Sequence, residues 1–167
     1  MWIRRMTEND WNDLTTFYRA VVSQMTADKL AIWDEAYPVC CLEEDIENGR
    51  LYGLLDKDGI AAAFALCKEA DGADTLGWNG NGRAMYLDRL AVRVSSRGRG
   101  IGARALLEAR QLCRMHGAEW LRLFVVRENL PAIALYEKHG FFRAEGVFGL
   151  SAAGRGVLWE FGYEIRA

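Results

Sequence analysis

Leu90–Gly102 reads LAVRVSSRGRGIG, and the chain runs straight on through residues 103–117 as ARALLEARQLCRMHG. A short apolar strand stops at clustered glycines and restarts as a helix. That join gathers several backbone N–H groups at the positive end of a helix dipole, which makes it an anion cradle. Arg89, Arg93, Arg97, Arg99 and Arg104 lie around it. Phosphate is the anion this combination suits best.

Upstream of the turn, Met85–Val92 reads as the strand that feeds it, preceded by a Gly- and Asn-rich loop over 70–82 that carries Trp78. Arg50–Asp56 and Ile60–Lys68 are apolar runs split by Lys57-Asp58-Gly59, a strong hairpin signal. Trp2–Arg5 reads as a first strand. Thr7 or Asn9 caps the helix after it, in which Leu14, Phe17, Tyr18, Val21, Val22 and Met25 recur at helical spacing. Leu30–Tyr37 is expected to form a short second helix stopped by Pro38, and Leu42–Asn48 an acidic helix closed by Gly49.

Downstream, Gly100–His116 is a helix whose apolar stripe includes Ile101, Ala105, Leu106, Ala109, Leu112 and Cys113, with Gly117 as its stop. Trp120–Val126 is almost continuously apolar, as expected at the centre of a sheet. Leu130–His139 is a helix with Asn129 at its N-cap and Pro131 in its first turn. Two more strands are expected near Arg143–Leu150 and Val157–Ile165. The pattern is that of one α/β domain over residues 1–167, a mixed sheet with helices on its faces.

Composition narrows the function classes. The chain has 167 residues, 51% of them hydrophobic and 26% charged, with a net charge of −2. That charge is too near neutral for bulk attraction to nucleic acid or membrane. No apolar run is long enough to span a bilayer. Cys40, Cys41, Cys67 and Cys113 show neither CxxC spacing nor a zinc pattern. They read as reduced thiols of a cytoplasmic protein, and no metal is expected. Asp34, Glu35, Glu43, Glu44, Asp45 and Glu47 form an acidic stretch, which is either a solvated helix face or a surface for a cationic substrate.

Three phosphate chemistries compete for the turn. A P-loop requires Gly-Lys-Ser/Thr at the helix start, whereas Gly102 is followed by Ala103-Arg104, so that reading fails. A dinucleotide fingerprint survives, since Gly98-x-Gly100-x-x-Ala103 fits GxGxx[GA] and Glu128 follows the next strand. The third depends on a second segment. Arg97-Gly98-Arg99-Gly100-Ile101-Gly102 after Leu90-Ala91-Val92, then Asn129 and Ala134-Leu135-Tyr136-Glu137-Lys138-His139-Gly140-Phe141, resemble the two core motifs of the GNAT N-acetyltransferases. The resemblance covers about the second half of the chain.

This resemblance implies the GNAT fold, with a mostly antiparallel sheet, and acetyl-CoA as co-substrate. Backbone N–H groups of Arg97, Gly98, Arg99, Gly100, Ile101 and Gly102 would bind the pyrophosphate, while Leu90, Ala91 and Val92 would pair with the pantetheine arm. Asn129 would also bond the cofactor. Tyr136 would protonate the departing thiolate; the packed aromatic of a helix's inner face is the alternative. Asp88 is either the base or the ion-pair partner of Arg89 or Arg93, with Glu35 and Asp34 behind it. Trp33, Glu35, Tyr37 and Trp78 are the candidate walls of an acceptor site. Direct transfer to an amine of a small molecule or peptide, without an acyl-cysteine, is the implied reaction. A non-catalytic acyl-CoA sensor and a nicotinamide-dependent oxidoreductase stay open, and exposed strand edges near the C-terminus are compatible with a homodimer.

Overall fold

The computed structural model describes residues 1–152 and 156–167. The chain divides into two compact units, Met1–Leu66 with Asp88–Glu108, and Cys67–Leu87 with Ala109–Ala167.

In the first unit, β1 (Trp2–Arg5), β2 (Leu51–Asp56) and β3 (Gly59–Cys67) pair antiparallel. The Lys57-Asp58-Gly59 turn forms as expected, with Gly59 at φ 98° and the Asp58 N–H donating to Asp56 Oδ1 at 2.8 Å. In β3, Ile60 to Cys67 are all buried, which accounts for its alanine-rich, non-alternating sequence. Helix α1 (Trp11–Ala27) buries the whole predicted stripe from Leu14 to Met25. A 3-10 turn over Glu8–Asp10 leads into it, and Asp10 Oδ2 accepts the Thr7 N–H at 2.8 Å.

The expected helix over Leu30–Tyr37 does not form; the segment is a series of turns. Lys29 at φ 58° ends α1, and Asp34 Oδ1 accepts the N–H groups of Ala36 (2.9 Å) and Tyr37 (2.8 Å). An aspartate that satisfies local N–H groups in this way competes with the helical ladder. The acidic helix does form, as α2 (Leu42–Glu47), and is closed by Gly49 at φ 61°.

Strand β4 (Ala84–Val92) and helix α3 (Ile101–Met115) contribute residues to both units. In the second unit, β4 pairs parallel with β5 (Trp120–Val126), and β5 pairs antiparallel with β8 (Gly156–Arg166). Helix α4 (Leu130–Lys138) starts one residue after Asn129, whose Oδ1 accepts the Ala132 N–H at 3.3 Å. The expected strand over Arg143–Leu150 is broken in two. Phe142–Arg143 (β6) and Phe148–Ala152 (β7) pair with different parts of β8, and Gly146 at φ 96° lies in the gap between them. The hydrogen-bonded order is β1-β2-β3-β4-β5-β8-β6, with β7 on β8, a mostly antiparallel sheet of mixed α/β class.

Candidate functional site

The glycine turn has the geometry expected of an anion cradle. A 3-10 turn over Val94–Ser96 follows β4, and residues 97–100 are exposed. Gly98 and Gly100 have φ values of 74° and 77°, the left-handed region in which a Cβ is disfavoured. A Cβ built on either glycine would meet nothing within 4 Å, so the space over the turn is open. The Arg104 N–H donates to Gly100 O at 3.0 Å, which makes Gly100 the helix cap. The N–H groups of Ile101, Gly102 and Ala103 therefore precede the first intrahelical donor. The Arg97 and Arg99 N–H groups instead make long turn bonds, to Val94 O at 3.3 Å and Ser96 O at 3.4 Å.

The surrounding arginines are less available than the sequence suggests. Arg89 pairs with Asp45 and Asp88, Arg93 with Asp56, Arg97 with Asp28 and Arg104 with Glu108. Arg99 is the arginine of this group without a carboxylate partner among the described residues. The basic patch is largely a set of ion pairs that tie the turn and β4 to the rest of their unit.

Arg89 is itself unusual. It sits in mid-strand at φ 54°, a conformation that costs a non-glycine residue about 1–2 kcal/mol. From Arg89 on, burial alternates again, with Leu90 and Val92 half-buried and Ala91 buried. Asp88, just before it, donates nothing and accepts widely: Oδ2 takes Arg89 Nη1–H at 2.7 Å, while Oδ1 takes the Arg89 backbone N–H at 2.7 Å and faces the Tyr37 hydroxyl at 3.4 Å. The ion-pair role open to Asp88 is thus realised with Arg89, yet the Asp88 side chain stays 46% exposed. Burial pushes the Tyr37 phenol well above its usual range, and the Asp88 charge adds to this, so Tyr37 is a proton donor here. Trp33 packs edge-on against Tyr37, centroids 6.0 Å apart, and Glu35 is exposed nearby in sequence. Three of the predicted acceptor and base residues, Trp33, Tyr37 and Asp88, are therefore neighbours.

In the second unit, Asn129 spends Oδ1 on its helix cap and keeps its amide Nδ2 as a donor. Tyr136 is buried, 7% exposed, and its ring packs on Phe141 and Tyr163 with centroids 5.7 and 6.3 Å away. Trp78 lies against Tyr86 and Phe124, with the Arg122 guanidinium 4.6 Å above its ring.

The family model for the acetyltransferase (GNAT) family matches residues 11–141. The chain belongs to the GNAT acetyltransferase family. A search of curated proteins by sequence gives no match. Among solved structures, a GNAT-family acetyltransferase from Streptococcus agalactiae 2603 is 18% identical with a TM-score of 0.78, covering 99% of this chain and 95% of that one. One from Listeria monocytogenes 4b F2365 is 18% identical with a TM-score of 0.75, over 99% and 94% of the two chains. The PaiA N-acetyltransferase of Thermoplasma acidophilum, solved in complex with coenzyme A, is 20% identical with a TM-score of 0.69, over 99% and 98%. At these identities the likeness is one of fold.

Two buried charges of this GNAT chain escape sequence reading. Asp45 and Glu164 are both 0% exposed. Glu164 accepts the N–H groups of Asn79 (2.5 Å) and Gly80 (3.1 Å) and Arg122 Nε–H (3.2 Å), so it holds the loop that carries Trp78. Asp45 lies 44 residues from Arg89 and Glu164 lies 42 from Arg122, and no spacing rule links either pair. None of the four cysteines is in a disulfide, and burial pushes Cys41 up to about 12 and raises Cys113, which disfavours both as nucleophiles in this GNAT chain.

Proposed function

We propose that the chain moves an acetyl or short acyl group from acyl-CoA to a primary amine of a small molecule or peptide, by direct attack in a ternary complex. The observation that carries this is the turn: open space over two left-handed glycines, beside the donor N–H groups that begin α3. That combination fits a pyrophosphate. CoA bound there supplies a thioester activated toward nitrogen nucleophiles. The matched segment draws on both compact units, which supports a single transferase domain.

Gly98, Gly100, Ile101 and Gly102 line the pyrophosphate, while Arg99 adds a charge-assisted bond and Arg97 a weaker one. Backbone groups of Leu90, Ala91 and Val92 hold the pantetheine arm, and Asn129 Nδ2 donates to the same molecule. The β4–β5 register, which runs from Ala84↔Trp120 to Leu87↔Leu123 while both strands continue, supports an arm lying along the later part of β4. A solved neighbour bound to coenzyme A supports the same ligand.

Asp88 takes the proton that an alkylammonium, with a pKa near ~10, must lose before it attacks. Trp33 and Tyr37 wall the amine beside it, with Glu35 and Trp78 as further acceptor contacts. A backbone N–H near Val92 stabilises charge on the reacting carbonyl oxygen. Tyr136 then gives its phenolic proton to the leaving sulfur, since a phenol with a reference pKa of roughly 10 is protonated at neutral pH.

Thermal-shift titration and Tyr136→Phe test this reading. Acetyl-CoA at a hundredfold excess over Kd is expected to stabilise the chain by about 2.7 kcal/mol. Stabilisation by NAD(P) alone overturns it. Tyr136→Phe is expected to lower kcat about a hundredfold while CoA affinity is kept. Tight acetyl-CoA binding with no transfer across a broad amine panel would instead indicate a non-catalytic sensor.

A further inference from the structure

The left-handed residue in β4 is held by side chains rather than by the strand ladder. At φ 54°, the N–H and C=O of Arg89 need partners that a straight ladder does not provide. The N–H donates to Asp88 Oδ1 at 2.7 Å, and the buried Tyr18 hydroxyl donates to the carbonyl at 2.9 Å. The guanidinium is shared between two carboxylates and also bonds the Tyr37 side chain. Its side-on edge, Nε and Nη2, donates to Asp45 Oδ2 (2.8 Å) and Oδ1 (2.9 Å), which leaves Nη1 for Asp88 Oδ2 at 2.7 Å. Asp45 is in turn held by Arg50, whose Nε–H donates to Oδ1 at 2.6 Å.

A planar guanidinium has two forked edges, Nε with Nη2 and Nη1 with Nη2, which share Nη2. With Nε and Nη2 drawn onto fully buried Asp45, Arg89 meets Asp88 through Nη1. Asp88 Oδ1 is then left beside the Tyr37 hydroxyl, on a side chain that solvent still reaches. Without the Asp45 charge, Nη2 is released to join Nη1 on Asp88, and the pair takes both of its oxygens.

We propose that Asp45 is a positioning residue for the transfer reaction: by occupying Nε and Nη2 of Arg89, it fixes the Asp88 carboxylate in the orientation that accepts the amine proton. The inference rests on the assignment of Asp88 as proton acceptor. It connects helix α2 to the chemistry through one buried arginine, and it gives the acidic stretch a function other than contact with a cationic substrate.

The test compares Asp45→Asn, Tyr18→Phe and Asp88→Asn in the full chain. Asp45→Asn keeps the side-chain shape and removes the charge. In the folded variant, the Asp88 carboxylate and Arg89 Cα carbon resonances are expected to move. The kcat is expected to fall roughly ten- to a hundredfold, with acetyl-CoA affinity by calorimetry within about twofold of wild type. Tyr18→Phe removes only the hydroxyl on the Arg89 carbonyl, so it serves where Asp45→Asn fails to fold; the same resonances move and kcat falls several-fold. Unmoved resonances, or wild-type kcat in whichever variant folds, overturn the positioning role. Asp88→Asn with wild-type kcat overturns instead the assignment of Asp88 on which the role rests.

Discussion

At the scale of single residues, charge pairing decides which arginine of the turn is left without a carboxylate partner among the described residues. Arg97 and Arg99 are equivalent in sequence, two apart in the same glycine turn. Arg97 Nη1 is 2.9 Å from Asp28, whereas Arg99 has no carboxylate partner among the described residues. Arg99→Ala is therefore expected to raise the Kd for CoA about tenfold, the value of a charge-assisted hydrogen bond of roughly 1.5 kcal/mol. Arg97→Ala should cost less, because its charge is already shared with Asp28. Isothermal titration calorimetry of both variants with CoA checks the order; equal losses would contradict it. The arginine cluster and the Asp88–Arg89 pair were legible in the sequence, but the pairs with Asp45, Asp56 and Asp28 were not, because those carboxylates lie 30 or more residues away.

At the scale of elements, local chemistry predicts well wherever the determinants are local. The Asp58-Gly59 hairpin, the Asn129 cap and the α1 stripe are each settled within a few residues, and each forms as read. The segment 30–37 fails because its apolar spacing is helical while Asp34 binds the N–H groups two and three residues on. The entry to α1 provides a pH-dependent test. The Arg4 guanidinium, hydrogen-bonded to Asp10, holds that carboxyl at about 2, below its reference value of 3.8. A folded pKa depressed in this way contributes stability that is present above the unfolded pKa and is lost as pH falls through the folded one. The window runs from about pH 4 to pH 2. Asp10→Asn is expected to flatten the acid limb of stability against pH in that window and to leave its shape near neutrality unchanged, measured by urea unfolding followed by far-UV circular dichroism.

At the scale of the whole molecule, each compact unit is built around a buried carboxylate that no motif announces. Asp45 organises the first through Arg89 and Arg50, and Glu164 the second through Arg122 and the backbone of Asn79 and Gly80. Removing one partner of a buried pair strands the other charge away from water. Glu164→Gln is expected to destabilise the fold by about 3 kcal/mol, a drop in Tm of roughly 6–12 °C for a chain of this size. Differential scanning calorimetry measures it, and a change under 2 °C, about what half a kcal/mol produces, would show that the pair is not needed. Loss of the Trp78 loop should accompany the change, because Arg122 sits over that ring and Glu164 holds its neighbours.

The sequence by itself determined most of the elements, though not the turns over 30–37 or the break between β6 and β7, together with the glycine turn and the family. Strand, turn and helix are written in short-range patterns, and the open turn follows from left-handed glycines at a helix start. Tertiary structure alone decided which arginines remain available and what holds Arg89. Those depend on long-range pairs: a carboxylate from α2 meets an arginine 44 residues later, in a burial that makes the pairing obligatory. Such partners leave no periodicity along the chain, because desolvation acts on groups that only the folded chain brings together.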